Sequence, residues 1–322
     1  MDFELTTDQE SLQEGIRAYL EGRFPLDAVR AIEGNGGRLD RARWSELAET
    51  GVFSLTGAEA DGGLELGISE AALVFEELGR ALVPGPLVAT AIATAIVPGA
   101  AAGEAVVGLV EPAQPVTLVE HFDDLDALLV LADDGVRRID PGALTTTEVA
   151  RPLDALTPVR LVVGALPDGD LVAGPEVARR ARLEGLVLTA ALQLGLSLRT
   201  VELATAYAKE REQFGRVIGS FQAVKHLCAD MLMRAEVARA AVYAAAVALD
   251  DRNDDDPVRC ASVAKVMAGD AAVFNAKTCI QVHGGIGFTW EVDVQRFWKR
   301  ACVLDTHFGN GDVHAEKVAA NI

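Results

Sequence analysis

Tyr207-Ala-Lys-Glu-Arg211-Glu-Gln213-Phe214-Gly215-Arg-Val-Ile-Gly-Ser-Phe221-Gln222 and Gln281-Val-His283-Gly284-Gly285-Ile-Gly287-Phe288-Thr-Trp-Glu291 are the two segments whose reading decides the fold. Each begins where a long apolar-periodic helix ends. Each offers an Arg or Gln beside glycine backbone that permits close approach. Brought together, they suit a phosphate-bearing, aromatic-stacked ligand such as a flavin dinucleotide.

The helices that lead into these segments are legible from periodicity. Leu183, Leu186, Val187, Ala190, Ala191, Leu194, Leu198 and Val201 mark one face of a helix that starts after Pro175 and runs towards Tyr207. A second begins near Phe221 and turns Val224, Leu227, Met231, Ala235, Ala238 and Val242 inward. Its end is the acidic run Asp250 to Asp256, which reads as a solvated loop. A third extends from Pro257, well placed in a first turn, to about Val282. Shorter helices follow Glu291 and Gly311, and together these predict a C-terminal four-helix bundle over 176–322.

Upstream, residues 1–104 read as an N-terminal helical domain. Thr6 or Thr7 caps a first helix whose face carries Leu12, Ile16, Tyr19 and Leu20. Trp44 to Gly51 forms a second, stopped by glycine, and 57–63 is a loop. Ser69 caps a helix closed by Pro84-Gly85-Pro86, and Leu87 to Val97 makes another. Between 105 and 175 the runs become short and β-rich: 106–110, 116–119, 127–131, 136–139 and 159–163, separated by Asp/Gly/Pro turns. The expected fold is mainly α with a small β-subdomain of about five strands.

Bulk composition narrows the function classes. The chain has 322 residues, 48 acidic against 29 basic, for a net charge of −19. A surface so acidic argues against nucleic acid, whose phosphates need basic neutralisation, while a few local arginines can still govern one pocket. Cys228, Cys260, Cys279 and Cys302 lack a CxxC pairing and read as reduced residues. The N-terminus shows no signal pattern. Apolar stretches are broken by Pro, Gly or charge before a membrane span of about 20 residues. The expectation is a cytoplasmic protein with no membrane partner.

Tyr207 to Gly215, Phe221-Gln222-Ala-Val with Ala229-Asp230-Met231, and Gln281 to Thr289 resemble the acyl-CoA dehydrogenase family. Phe3-Glu-Leu-Thr, Gly62-Gly63 and Glu76-Glu77-Leu78-Gly79-Arg80 match its usual pattern as well. The likeness covers nearly the whole chain. It implies FAD as cofactor and α,β-dehydrogenation of an acyl-CoA thioester, a carboxylate taking the Cα proton and flavin N5 the Cβ hydride. It also implies an FAD shared across a subunit interface, with the neighbour's arginine and Gly-Gly segment holding the ADP half. By that resemblance the FAD contacts are Arg211 on the pyrophosphate, Phe214 packed on a ring, Gln222, Gln281, and the backbone at Gly284 and Gly285.

Three departures fall on the catalytic half. No Thr-Glu-Pro-x-x-Gly-Ser-Asp-like loop or Trp strand occurs between Ala105 and Gly174, and this region is several tens of residues shorter than the family's. The late Tyr-Glu-Gly-Thr segment, whose Glu is the base in many members, is replaced by His307-Phe308-Gly309-Asn310. Glu184-Gly-Leu-Val-Leu188 resembles the alternative, earlier base, but Glu184 is one residue out of register, a rotation of about 100° on a helix. The resemblance therefore implies a reduced subunit of a hetero-oligomer, of the kind found in actinobacterial steroid catabolism. It would be paired as α2β2 with a full-length homologue that carries the base, and would act on a bulky or steroid acyl-CoA and an electron-transfer acceptor. A self-sufficient homomeric enzyme with Glu184 as base and a non-catalytic assembly subunit remain open readings. His307 and His314 lack a third nearby ligand and do not read as a metal site. His283 reads as a structural or interface residue.

Overall fold

The computed structural model describes residues 4–59, 63–112, 116–251 and 256–320. Contacts divide the chain into two compact units. One comprises Met1–Leu26, Ala72–Val83 and Leu186–Ile322, the other Asp27–Ala71 and Pro84–Gly185. The acidic run expected to form a loop lies largely in 252–255, outside the described residues, as do Phe3 and Gly62.

The second unit carries α2 (Leu26–Gly34), α3 (Arg41–Glu49), the start of α4 (Ile68–Arg80), α5 (Leu87–Ala93) and seven strands. β1 (Val107–Val110), β3 (Ala127–Ala132), β4 (Gly135–Ile139) and β7 (Asp170–Ala173) form a sheet in the order β1-β3-β4-β7. In it β1 and β3 are parallel and the other pairs antiparallel. A second, antiparallel sheet has the order β2-β6-β5, from Leu118–Glu120, Val159–Val162 and Thr146–Glu148. Val110, Val119, Leu128, Val130, Ile139 and Val162 meet in a buried cluster that joins the two sheets. All five expected strands are present, and two more, β5 and β7, correct the count. Thr146-Thr147-Glu148 and Asp170-Leu-Val-Ala are edge strands with mostly exposed side chains, so they lack the alternation that betrays a half-buried strand. Around these sheets Arg41 donates to Asp126 at 2.7 Å, and Arg38 pairs with Asp123 and Asp124.

Two helix boundaries differ from expectation. α4 starts at Ile68, with the Gly67 N–H donating to Glu70 at 2.9 Å, so Ser69 lies inside the helix and is not its cap. α5 stops at Ala93. α2 was not anticipated; its nine residues bury only Val29.

The first unit is helical. In α1 (Thr7–Arg23), Thr6 caps through a reciprocal pair with Gln9, and Ile16 and Leu20 are buried. α6 (Pro175–Glu210), from Leu186 onward, α7 (Gln222–Asp250) and α8 (Pro257–His283) are its long helices, joined by α9 (Val294–Asp305) and α10 (Gly311–Ala320). α4 and α6 cross at backbone contact. A Cβ on Gly79 would stand 2.1 Å from the Leu192 carbonyl oxygen, and one on Gly195 would stand 1.9 Å from that of Glu76. Asn275 fixes the register of three helices, donating to Ser197 Oγ on α6 at 2.7 Å and to the Met231 carbonyl on α7 at 2.8 Å. Beside the crossing, buried Glu77 takes two hydrogen bonds from Arg17, at 2.6 and 2.9 Å. Its neighbour Glu76 accepts from Tyr243 at 2.9 Å and from Gln13 at 3.2 Å.

By length and composition α6 is apolar enough to cross a bilayer, contrary to expectation, because its charges cluster towards its ends. However, 83% of its most apolar stretch is buried inside the protein, as for a core helix.

Candidate functional site

The first segment is built as a hairpin. α6 ends at Glu210, and β8 (Glu212–Gln213) pairs with β9 (Arg216–Val217) across a two-residue turn. Phe214 and Gly215 occupy that turn with φ of 54° and 78°. Two successive positive φ values make the tight turn matched to strand twist, and Gly at its second position is the residue that favours it. The Ile218 N–H donates to the Arg211 carbonyl at 2.7 Å, and the Arg211 N–H donates to that of Tyr207 at 2.8 Å, so Arg211 is fixed at both backbone ends. Phe214, at the tip, is 92% exposed, which rules out a core role for it within this chain. Phe221 supports the turn from beneath, edge-on to Phe214 at 6.1 Å and under the Arg216 guanidinium at 4.1 Å. Gln222 opens α7, exposed, with its amide 3.0 Å from His226 Nε2.

The second segment is a sharp helix stop. Gln281 lies exposed in the last turn of α8, and the Gly284 N–H donates to its carbonyl. Gly284 adopts φ 66°, ψ −148°, a region essentially reserved for glycine. A Cβ at Gly284 or Gly285 would meet nothing within 4 Å. The short 3-10 turn Gly284–Phe288 follows, then Phe288 and Trp290, both largely exposed.

These two segments do meet. The Tyr207 and His283 rings stack at 4.1 Å with 19° between planes. Beneath them Ala204, Ala208, Met231, Cys279, Ile280, Val282 and Val294 form one buried cluster from the ends of α6 and α8 and the starts of α7 and α9. Arg211 and Arg216, on either side of the turn, make no ion pair among the described residues, although most arginines of this acidic chain do. An uncommitted guanidinium beside bare glycine backbone is suited to a phosphate anion. The Tyr207–His283 stack was not read from sequence. The two residues are 76 positions apart, and only the shared helix ends could have hinted at their contact.

The family model for the acyl-CoA dehydrogenase N-terminal domain matches residues 6–104, and that for the C-terminal domain matches residues 173–322. The chain belongs to the acyl-CoA dehydrogenase family. This is an oxidoreductase family acting on CH–CH bonds. Acyl-CoA dehydrogenase IpdE2 of Mycolicibacterium smegmatis is 32% identical over 92% of this chain and 93% of its own length. Among solved structures, a chain of the ChsE4-ChsE5 complex from Mycobacterium tuberculosis superposes with a TM-score of 0.85 at 22% identity, covering 100% of this chain and 98% of that one. PigA with FAD and proline gives 0.85 at 20% identity, covering 100% and 99%. At these identities the two structures speak for the fold.

The two candidate base segments are those of Phe308 and Glu184. Phe308 carries no proton acceptor on its side chain. Its carbonyl accepts from His314 Nε2 at 2.8 Å, while His314 Nδ1 lies 3.1 Å from Ser262 Oγ. Both nitrogens of this fully buried histidine are thus engaged within the protein, and burial pushes its pKa down. Glu184 belongs to the other compact unit, and Arg180 holds its Oε1 at 2.5 Å, one helical turn back. A carboxylate in that pair would have to give up the guanidinium before receiving a substrate proton.

Proposed function

We propose that this chain is one subunit of a hetero-oligomeric, FAD-dependent acyl-CoA dehydrogenase. It would lend the ADP-half contacts of a flavin whose ring, base and substrate pocket are completed by a full-length homologue, in an α2β2 assembly. The observation that carries this reading is the pairing of the Arg211 hairpin, whose arginine makes no ion pair among the described residues, with the Gly284 stop through Tyr207 and His283, in a chain with phenylalanine at 308.

The residues fit the cofactor. Open space beside both glycines leaves room for a ligand that a Cβ would obstruct. FAD, when bound, supplies the hydride acceptor for α,β-dehydrogenation. Arg211 would hold the pyrophosphate with charge-assisted hydrogen bonds. The backbone at Gly284 and Gly285 would approach the phosphates, and the Gln281 and Gln222 amides would serve the polar remainder. Phe214 would cover an aromatic ring of the ligand; so exposed a phenylalanine at a turn tip calls for an apolar cover. In this reading the domains are 1–104, 105–175 and 176–322, the substrate is a bulky or steroid acyl-CoA, and reduced flavin passes its electrons to an electron-transfer acceptor. The likeness to a chain of the ChsE4-ChsE5 complex supports a heteromeric assembly. Four free thiols suit the cytoplasm.

The test is to express the chain alone and with a full-length homologue from the same operon, then compare bound flavin and dye reduction by acyl-CoA. Flavin and turnover are expected only in the co-purified complex. Flavin and turnover in the isolated chain would overturn the proposal in favour of a self-sufficient enzyme. A complex lacking flavin would overturn it in favour of an assembly subunit.

A further inference from the structure

His283 is the last residue of α8, immediately before Gly284. Its Nδ1 lies 2.8 Å from the Cys279 carbonyl, an acceptor only, so Nδ1 carries the hydrogen and donates. Burial lowers the ring's pKa, and the ring stands neutral with its tautomer fixed. That bond ties the imidazole plane to the last turn of α8, and the stack on Tyr207 ties it to the last turn of α6. From the stack, Arg211 is reached through one hydrogen bond, that of its own N–H to the Tyr207 carbonyl, and Gly284 through one peptide link. A phenylalanine could stack on Tyr207 but would have no hydrogen bond to set its plane.

We infer that His283 is a positioning residue for the cofactor. Held by Cys279 and stacked on Tyr207, it sets the Gly284-Gly285 bend in register with Arg211, so that both bear on one dinucleotide pyrophosphate. This rests on the FAD-lending reading above and adds to it the part that aligns its two halves. His283 itself acts through Arg211 and the glycine backbone, without touching the reacting atoms.

The experiment is a double-mutant cycle on the co-purified complex, stripped of flavin and titrated with FAD. His283→Ala is expected to weaken FAD binding about tenfold or more, equivalent to about 1.4 kcal/mol. His283→Phe, which keeps the stack, is expected to recover part of that loss. Arg211→Ala is expected to abolish most binding. The double variant His283→Ala/Arg211→Ala should bind scarcely worse than Arg211→Ala alone, because the register His283 sets between Gly284-Gly285 and Arg211 no longer has its Arg211 member. Unfolding of the flavin-free complex should differ little between His283→Ala and His283→Phe, which a purely structural role would not give. Should His283→Ala fail to assemble, Tyr207→Leu attacks the stack from the other helix and is expected to give the same non-additive cycle with Arg211→Ala. Wild-type affinity in His283→Ala, or additive losses in either cycle, would overturn the inference while leaving the FAD-lending reading standing. Retention of FAD by Arg211→Ala would overturn that reading itself.

Discussion

Replacing Glu76 with glutamine should remove a pH dependence from the stability of the helical unit. Glu76 is 3% exposed and sits beside the equally buried Glu77. Burial, outweighing the Tyr243 hydrogen bond and reinforced by the Glu77 charge, raises its pKa to about 7. An unfolded glutamate titrates near 4.5, so between these pH values the folded chain holds a proton that the unfolded chain has released. Stability then falls as pH rises across the window, by about 3 kcal/mol in total. Glutamine stays neutral, its carbonyl can accept from Tyr243, and Gln13 can turn its amide to present an oxygen to the new NH2 group. Glu76→Gln should therefore match the wild type near pH 4.5 and exceed it by about 3 kcal/mol at pH 8. In a chain of this size that is a rise in unfolding midpoint on the order of 5 °C. Thermal unfolding of both proteins across pH 4.5 to 8, read as the difference between them, cancels the other titrating groups they share. Parallel profiles would refute the assignment of a near-neutral carboxyl to Glu76.

Gly195→Ala should destabilise the bundle by about 3 kcal/mol or more, because its methyl would fall 1.9 Å from a backbone oxygen of α4 and force the helices apart; chemical denaturation against wild type measures this, and an unchanged midpoint would contradict the close crossing. Gly284→Ala has open space for its methyl but not the backbone freedom. It should cost about 1–3 kcal/mol locally, altering amide exchange in 281–288 and weakening FAD binding while the rest of the bundle stays protected.

Much of this architecture is written in local pattern. The inward faces of α6 and α7, the Thr6 cap, and the stops at Gly51 and Gly284 follow from period, caps and glycine placement, each a short-range rule. What escaped has no local signature. β5 and β7 are mostly exposed edge strands defined by the strands they join. α2 buries one valine. The Phe214-Gly215 turn carries no hairpin pattern in sequence, since its strands are two residues each. Of the candidate site, Arg211, Phe214, Gln281, Gly284 and Gly285 were legible as types in a pattern. Their juxtaposition depends on Tyr207 meeting His283, a contact only the packed helix ends supply.

The central claim, that this chain holds the adenosine-diphosphate end of a flavin seated mainly in another chain, is tested most directly by photolabelling. An adenine-azido analogue of FAD, bound to the co-purified complex and irradiated, is predicted to attach to this chain within 207–222 or 281–290. Label confined to the partner chain, with this one unmodified, would contradict the account.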